Sequence, residues 1–408
     1  MTRYGKIFLY FLAIAALAWI LPWLYSFATP NTQSAPFTLL SEVNDQFLSN
    51  SPSGDKSLAM VDEDGKIYTK NEIDSMLPTL YFRQLIADSR MPDSLRGLPM
   101  TPKDIQMGNF MFRSSPSDIN NHPVGLYPLL ESMSGRVDLE MPSDVFRITA
   151  RGIEFIDMAS NTVDAEKSRL FTEAMEKKGF SFPAVEISGN ATTRKEYDNG
   201  YLLIDNAGKV FRLMMVKGRP FVRETGIDPA LGMRHAFVTE FRSKRYFGFL
   251  TDEKHNLYAL DKDYNLVKLP VGHFDSETES LMIIANMFNW TIRIDGDNGV
   301  RWYGIDSDDH SLIRDRKMEF APSTAQNIAE YIFPFSLSFT SYNDKYAYPR
   351  LEDISYKALI LNVVLAGVLV VIRRRKNKSL ILPALVTIVT GLYGFIAYLL
   401  LKVPPAGR

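Results

Sequence analysis

The sequence predicts a membrane-anchored, β-rich α+β protein, with an antiparallel body, helical insertions and three transmembrane helices. Three observations lead to this prediction. Long apolar stretches lie near both ends of the 408-residue chain. Short apolar runs separated by polar turns recur through its middle. Five basic residues separate the last two apolar stretches: Arg373, Arg374, Arg375, Lys376 and Lys378.

The first apolar stretch covers residues 7–28 and carries no charge. About 20 apolar residues suffice for a helix to cross the hydrocarbon core of a bilayer. Trp19 and Trp23 lie toward its far end, where interfacial aromatic residues are common. A cleaved signal peptide is the alternative, because Ser26, Phe27 and Ala28 offer small residues at a cleavage position. The stretch is longer than a usual signal-peptide core, so we expect a retained anchor.

Two further apolar stretches run over about 354–372 and 380–403. The basic residues between them would be costly in hydrocarbon, so they form a loop. The positive-inside rule places this loop in the cytoplasm, and Arg3 and Lys6 place the start of the chain on the same side. We therefore expect a protein of the inner (cytoplasmic) membrane whose main domain is periplasmic.

The predicted organisation has four parts. They are an N-terminal transmembrane anchor over 1–29, a linker over 30–56, an extracytoplasmic β-rich domain over 57–350 and a two-helix transmembrane hairpin over 351–408. Residues 30–56 are assigned to a linker because they are rich in Pro, Ser, Asn and Thr, a composition typical of a tether.

Composition excludes several functional classes. The net charge is −1, but ten of the 46 Lys and Arg residues lie outside 30–350, against two of the 47 Asp and Glu residues. The middle of the chain is therefore acidic, which argues against a nucleic-acid partner, because phosphates require a basic surface. The chain has no cysteine. This excludes disulfides, thiolate metal sites and a cysteine nucleophile.

A repeated pattern indicates antiparallel hairpins in the middle of the chain. Similar segments begin at Gly200, Arg245 and Asn289. Their turns, Asp205–Gly208, Asp252–Asn256 and Asp295–Gly299, recur about every 43–47 residues. Weaker copies lie at 57–69 and 145–163. Repetition near this period suggests propeller-like blades, and a general antiparallel meander is the alternative.

If the three segments are equivalent, Phe211, Tyr258 and Trp302 follow their turns at similar places. Side chains alternate between the two faces of a strand, so we expect all three to point into the core.

Helices are predicted in the first half of the middle region. Thr69 and Glu72 form a capping box, and the helical pattern after them continues to about Asp88. Proline follows Thr101 at the first position of a shorter helix. Residues 163–178 place apolar residues at helical spacing and stop at a glycine.

No catalytic or cofactor-binding residue can be assigned from the sequence. The histidines are scattered singly, and no metalloprotease, nucleophile-elbow, P-loop or dinucleotide-binding motif is present. The only metal candidates are acidic residues near two turns, which could gather around one cation: Asp295, Asp297, Asp306 and Asp308. Solvated hairpin turns explain the same residues, and a calcium loop would require a glutamate that is missing.

Three stretches carry a family resemblance: residues 68–85 (YTKNEIDSMLPTLYFRQL), 111–148 and 190–205 (NATTRKEYDNGYLLID). They resemble an uncharacterised membrane-protein family of Bacteroides-type bacteria, a domain of unknown function. The resemblance implies one leading and two trailing membrane segments, and an association with the ATPase and permease components of ABC transporters. It implies no catalytic residues.

Two hypotheses about function follow. The first is a non-enzymatic accessory subunit of an ABC-type transporter or permease complex, with an extracytoplasmic domain that binds or senses a ligand. The chain lacks a P-loop, so the ATPase and the permease would be separate partners. The alternative is an anchored extracytoplasmic enzyme, such as a carboxylate- or metal-dependent hydrolase, or an envelope-sensing protein. We expect no cofactor under the first hypothesis.

Overall fold

The computed structural model describes residues 3–29, 34–52, 58–121, 124–133, 135, 138–339, 347–374 and 381–401. They fall into two compact units. The first unit combines residues 1–34 with 320–408, and the second covers residues 35–319. Antiparallel sheets with several helices make up the second unit, which confirms the β-rich prediction.

The chain enters the first unit as helix α1 (Arg3–Ala28). Its segment Tyr4–Ala28 is long and apolar enough to cross a membrane, as the uncharged stretch predicts.

Sheet 1 opens the second unit and has four antiparallel strands in chain order: β1 (Thr38–Leu40), β2 (Phe47–Pro52), β3 (Leu58–Val61) and β4 (Ile67–Tyr68). The first two strands lie inside the predicted linker, so that prediction is wrong for residues 38–52. The physical reason is burial: Leu40, Phe47 and Leu48 are fully buried core residues. The polar composition of residues 30–56 as a whole hid two short apolar runs within them.

Short helices follow sheet 1, as predicted. Helix α2 (Lys70–Met76) begins with the predicted capping box between Thr69 and Glu72. It ends before Pro78, and α3 (Phe82–Ala87) follows, so the single helix predicted to Asp88 is two helices. Proline lacks the amide hydrogen that would continue the first helix.

A further run of short elements joins this region to sheet 2. The elements are a two-stranded hairpin of β5 (Ser94–Leu95) and β6 (Leu98–Pro99), then α4 (Pro102–Gly108), β7 (Phe110–Ser114) and α5 (Pro116–Asn120).

Sheet 2 has three strands and the longest helix of the second unit. The strands are β8 (Asp144–Thr149), β9 (Gly152–Asp157) and β10 (Thr162–Asp164), followed by α6 (Ala165–Lys177). The side chain of Asp164 caps α6 by accepting a bond from the amide of Lys167, and this helix confirms the prediction for 163–178. Phe171 and Met175 of α6 are buried against Phe155 of β9.

Three larger sheets complete the second unit. Sheet 3 contains β11 (Ala184–Gly189), β12 (Tyr201–Asp205), β13 (Val210–Val216) and β14 (Arg219–Glu224). After a 3-10 turn at Pro229–Leu231, sheet 4 contains β15 (Met233–Val238), β16 (Tyr246–Asp252), β17 (Leu257–Asp261) and β18 (Leu266–Lys268). Sheet 5 contains β19 (Ser280–Ala285), β20 (Asn289–Gly296), β21 (Gly299–Asp306) and β22 (Leu312–Glu319). Strand β7 pairs with β19 and adds a fifth strand.

Four hairpins share one turn, which we call the Asp turn, and each begins at an aspartate: Asp62, Asp205, Asp252 and Asp261. In each copy one carboxylate oxygen accepts bonds from the amides two and four residues later. The residue three positions later adopts a left-handed backbone in each copy: Gly65, Gly208, His255 and Tyr264. The same side-chain and backbone geometry therefore recurs in sheets 1, 3 and 4.

The Asp turn of Asp252 has four donors. Its second carboxylate oxygen accepts the side-chain amide of Asn256 at 2.7 Å and the hydroxyl of Tyr258 at 2.8 Å. Burial alone would raise the pKa of the Asp252 carboxyl, but these donors outweigh it and hold that pKa below its ordinary value.

The predicted third copy of the turn is different. Asp295–Gly299 is a tight hairpin in which Gly296 pairs with Gly299, and Asp295 forms an ion pair with Arg293 instead of closing the turn. The turn is therefore shared by Asp205, by Asp252 and by Asp62 in the weaker copy predicted at 57–69, with an additional copy at Asp261 that the spacing did not reveal.

The three predicted core aromatics are buried. Phe211 and Trp302 have no exposed surface and Tyr258 is 7% exposed. Tyr258 and Phe211 lie six residues after their turn aspartates, as does Tyr68 after Asp62.

The remainder of the first unit follows sheet 5. It contains α7 (Thr324–Ile332), a small hairpin of β23 (Ser336–Ser338) and β24 (Arg350–Glu352), then α8 (Leu359–Arg374), α9 (Ile381–Thr390) and α10 (Leu392–Leu401). Within the described residues, Tyr4–Ala28 is the one helix of membrane-spanning length. The structure therefore supports one of the three predicted transmembrane helices.

The predicted third span is broken at Gly391. This residue has φ +56°, and a β-carbon on it would lie 2.1 Å from Oδ1 of Asn362 on α8. Glycine is favoured where the backbone is left-handed and a neighbour approaches closely, so the apolar run divides here into α9 and α10. In the predicted basic loop, α8 extends through Arg374, and residues 375–378 lie outside the described residues.

Candidate functional site

A cavity of about 250 Å³ lies between sheet 1, the end of α2, β7 and sheet 5. Its wall is mainly aliphatic and aromatic, with a few polar groups. The lining residues are Leu39, Leu40, Glu42, Leu77, Thr79, Leu80, Asn109, Phe110, Met111, Ile284, Ala285, Asn286 and Thr291. A concave apolar site with a few convergent polar groups is the usual form of a small-molecule site.

The cavity is formed because the first and last sheets of the second unit are bonded together. The amide of Leu40 donates to the hydroxyl of Thr291 on β20 at 2.8 Å. The side chain of Leu40 packs on Gly304 of β21, where a β-carbon would lie 2.6 Å from a leucine methyl carbon. Leu80 and Met111 are about half exposed, so the cavity reaches the protein surface beside them.

Glu42 is the titratable residue of this wall and is 1% exposed. One carboxylate oxygen, Oε1, accepts bonds from the hydroxyl of Thr79 and from Nδ2 of Asn286, the latter at 3.0 Å. The other oxygen, Oε2, is buried and has no hydrogen-bond partner among the described residues. Arg96 donates to the main-chain oxygen of Glu42 at 2.8 Å, not to the carboxylate, and pairs with Asp45.

Burial raises the pKa of the Glu42 carboxyl to about 7, against the opposing effects of the Thr79 hydrogen bond and the Arg96 charge. A carboxyl group with such a pKa, lying in a cavity, is a recognised sign of a functional site.

Asn109 is the second incomplete polar group of the wall. Its Nδ2 donates to the main-chain oxygen of Thr79 at 3.3 Å, which fixes the orientation of the amide. Its Oδ1 is buried and has no partner among the described residues. Two hydrogen-bond acceptors in the cavity wall, on Glu42 and Asn109, are thus left unfilled. Lining one cavity together distinguishes them from the other unpartnered buried polar atoms of the described residues.

We predict that the stability of the protein falls between pH 5 and pH 8 because of Glu42. The folded-state pKa of about 7 lies above the unfolded value near 4.5, so the folded state holds a proton that the unfolded state has lost. Stability is then greatest below the unfolded pKa and decreases as pH rises to the folded pKa, by up to roughly 3 kcal/mol.

The measurement is thermal unfolding of the full-length protein in detergent, compared with Glu42→Gln. The variant carries no titratable group at this position, so its stability relative to the parent should rise between pH 5 and pH 8. A constant difference between the two proteins across this range would contradict the prediction.

The structure does not gather the predicted metal candidates. Asp295 and Asp297 lie at the hairpin end of β20 and β21, whereas Asp306 ends β21 and Asp308 follows it. Eight residues of extended strand separate the two pairs by roughly 20 Å. Among the described residues, no group of three or more His, Asp or Glu side chains is placed to hold a metal ion.

Two of these candidates, Asp295 and Asp306, have local partners for their carboxylates. Asp295 pairs with Arg293, and Asp306 accepts amide bonds from Asp308 and Asp309 in the turn that follows β21. The solvated-turn interpretation therefore describes them best.

The histidines occupy separate places in the second unit. His235 lies 3.3 Å from Glu277, and His310 bonds to the Tyr246 hydroxyl at 2.9 Å. The rings of His255 and His273 lie 4.5 Å apart. His122 is outside the described residues. None of the four described histidines lines the cavity.

A second group of buried charges joins sheets 3 and 4, and we call it the Lys195 cluster: Lys195, Asp198 and Glu240. The ammonium of Lys195 donates to Asp198 and Glu240 at 2.6 Å each and to the main-chain oxygen of Asn190 at 2.7 Å. These three charged side chains are 2–4% exposed. The three donors of the ammonium are all used, so this cluster is structural.

Sequence reasoning missed Glu42 and Asn109. Glu42 lies in the predicted linker, where a charged residue looks solvated. The available signal was its position two residues after the apolar pair Leu39 and Leu40, which proved to lie in a buried strand. Asn109 gives no signal, because nothing in its neighbourhood indicates which other segment it will face.

Comparisons with known proteins locate the chain within a family of unknown function. The family model DUF4857, a domain of unknown function, matches residues 37–305, which is most of the chain. A search of the curated proteins finds no match.

Two solved structures show limited likeness. PorZ, a surface component of the type-IX secretion system of Porphyromonas gingivalis, is 9% identical, with 72% of this chain and 28% of that chain covered and a TM-score of 0.23. The β-propeller domain of Cps50 (Swd1) from Myceliophteria thermophila is 14% identical, with 49% and 57% covered and a TM-score of 0.25. This chain therefore spans less than a third of PorZ, and at these TM-scores neither likeness supports an argument.

Proposed function

This chain belongs to the DUF4857 family, a domain of unknown function, and from that premise we propose that it is a membrane-anchored, non-enzymatic binding protein. A small ligand binds to its second unit, in the cavity described above, which we call the Glu42 cavity. The observation that carries the proposal is the cavity itself: about 250 Å³, mostly apolar, open at Leu80 and Met111, and containing two unfilled acceptors.

Our proposal places the protein in the inner membrane, with the second unit outside the cytoplasm. The apolar helix Tyr4–Ala28 supports an anchor. The shorter apolar helices α8 and α10 would complete three crossings together with α9. This requires the basic residues at 373–378 to remain in the cytoplasm, as the positive-inside rule expects.

We further propose that sheets 1 to 5 are the blades of a propeller-like body. Two features support this arrangement. The strands of each sheet follow one another in chain order, apart from the added β7. The bonds from sheet 1 to sheet 5 join the first repeat to the last, as closure of a propeller requires.

The proposed partners are the ATPase and permease subunits of an ABC-type transporter, to which this chain would be an accessory subunit. This part of the proposal rests on the family resemblance of residues 68–85, 111–148 and 190–205 and on the membrane anchor. Its test is purification of the tagged protein in mild detergent from its own host. Recovery of an ATPase and a permease in fixed ratio would support it, and recovery of the protein alone would contradict it.

The cavity proposal has its own test. Ile284 lines the cavity and packs against the cluster that contains Leu39 and Leu77, so Ile284→Phe places three more carbon atoms on the cavity side of β19. We expect a small molecule to be released on denaturation of the purified full-length protein and to be absent from the variant, as measured by mass spectrometry. The same molecule at the same level in both proteins would place its binding elsewhere.

The enzyme alternative is favoured by one observation, the pKa of about 7 for Glu42, which suits a general acid or base. Glu42 is the one titratable side chain among the described lining residues, so a second catalytic group is missing from the wall. Binding is therefore the function that this geometry supports best.

A further inference from the structure

We propose that the Glu42 cavity binds a small apolar molecule that carries a primary ammonium group. This inference rests on the proposed binding function and adds the chemical class of the ligand. Three features of the cavity support this ligand class: the unfilled hydrogen-bonding groups, the nearby charges and the size of the space.

The unfilled groups of the wall are acceptors when Glu42 is ionised, above its pKa of about 7. They are Oε2 of Glu42 and Oδ1 of Asn109. Neutral alcohols and amides supply one or two donors, whereas an ammonium supplies three and no acceptor, like the lysine side chain. A ligand rich in donors therefore matches this wall better than a ligand rich in acceptors.

Two of the neighbouring donors already have partners. The Thr79 hydroxyl donates to Glu42. Nδ2 of Asn286 donates to Oε1 of Glu42 and to Oδ1 of Asn289, both at 3.0 Å. A carboxylate or phosphate ligand would find few free donors here.

The charges near the cavity point to the same class. Glu42 is the charged residue of the wall, and no lysine, arginine or histidine is among the described lining residues. The nearby guanidinium of Arg96 is directed to the main-chain oxygen of Glu42 and to Asp45. An anionic ligand would face the Glu42 carboxylate with no cation in the described wall, whereas an ammonium would pair with it in a site of low dielectric.

The volume limits the apolar part of the ligand. An apolar cavity of about 150 Å³ in another protein takes benzene. The Glu42 cavity is larger, at about 250 Å³, so it has room for one ring or a short branched chain in addition to the ammonium. Leu39, Leu77 and Ile284 provide the apolar contacts for that part.

The test is isothermal titration calorimetry on the full-length protein in detergent at pH 7.5. Three probes of similar size are compared: phenethylamine (cation), 2-phenylethanol (neutral) and 3-phenylpropionate (anion). We expect phenethylamine to bind about tenfold or more tightly than the alcohol, and the anion to show no binding.

Variants assign the binding to the cavity. Glu42→Gln keeps the shape of the side chain and should reduce the preference for the amine to near unity. Asn109→Ala removes the second acceptor and should weaken the amine several-fold, which gives an independent readout if Glu42→Gln fails to fold. Asp297→Asn is the matched control: an exposed acid, away from the cavity, whose change to an amide should leave all affinities unchanged.

The outcomes separate the ligand class from the binding function. Equal binding of amine and alcohol to the parent, lost in Ile284→Phe, would overturn the ammonium class and leave the cavity as a binding site. An amine preference that survives Glu42→Gln would overturn the assignment to Glu42. Absence of binding by all three probes would overturn both this inference and the cavity as the ligand site.

Discussion

Lys195→Met is expected to destabilise the protein by roughly 3–5 kcal/mol, because it removes the cation from a buried group of charges. Asp198 and Glu240 are 3% and 2% exposed, and both bond to the Lys195 ammonium at 2.6 Å. Burial already raises the pKa of the Glu240 carboxyl, against the opposing effect of Lys195. Without the ammonium, two buried carboxylates remain with no cation between them.

The measurement is thermal unfolding of the full-length protein, followed by tryptophan fluorescence. The deficit of the variant should shrink toward pH 5, because a carboxyl whose folded pKa is raised regains stability as pH falls toward the unfolded value. Glu240→Gln in the Lys195→Met background should recover part of the loss. Lys262→Met is the control, since its side chain is 65% exposed. A loss below about 1 kcal/mol for Lys195→Met would show that the cluster is not a stabilising element.

Phe211→Ala and Trp302→Ala are each expected to lower the free energy of unfolding by roughly 3–5 kcal/mol, because both rings are fully buried. This is a large share of the usual margin of about 5–15 kcal/mol. Tyr258→Ala should produce a comparable loss for two reasons, since its ring is in the core and its hydroxyl bonds to Asp252 at 2.8 Å.

The same unfolding measurement tests the three alanine variants. Tyr258→Phe removes the hydroxyl and keeps the ring. It should lower the free energy of unfolding by about 1–3 kcal/mol, as expected for the loss of a bond to a charged acceptor. Phe221→Ala is the control, because Phe221 is 39% exposed. If Trp302→Ala were near neutral while Phe211→Ala were severe, the burial of Trp302 in sheet 5 would not contribute as the structure indicates.

Local rules predicted the features that depend on local interactions. The capping box at Thr69, the helix over 163–178 and the inward positions of Phe211 and Tyr258 all depend on residues a few positions apart. The apolar composition of residues 7–28 was also enough to predict a helix of membrane-spanning length, because composition is a local property. Features that depend on a distant neighbour were not predicted, such as β7 joining sheet 5 and the break at Gly391 beside Asn362.

The candidate site also depends on neighbours that are distant in sequence, so it was not predicted. Glu42, Asn109 and Asn286 come from three separate parts of the chain, and each has an ordinary local context. The acidic residues near 295 and 306 looked like a stronger candidate site because they are close in sequence. A straight eight-residue strand, β21, keeps the two groups apart, so closeness in sequence was misleading here.

The Asp turns also make this chain convenient for spectroscopic labelling. In each copy the aspartate and the left-handed residue fix the turn, while the two residues between them are exposed: 63 and 64, 206 and 207, 253 and 254, and 262 and 263. The natural chain has no cysteine, so one thiol introduced at Ala207 or Lys254 would be chemically unique. Such a thiol would carry a probe at a rigid, known position in sheet 3 or sheet 4 without altering the bonds that close the hairpin.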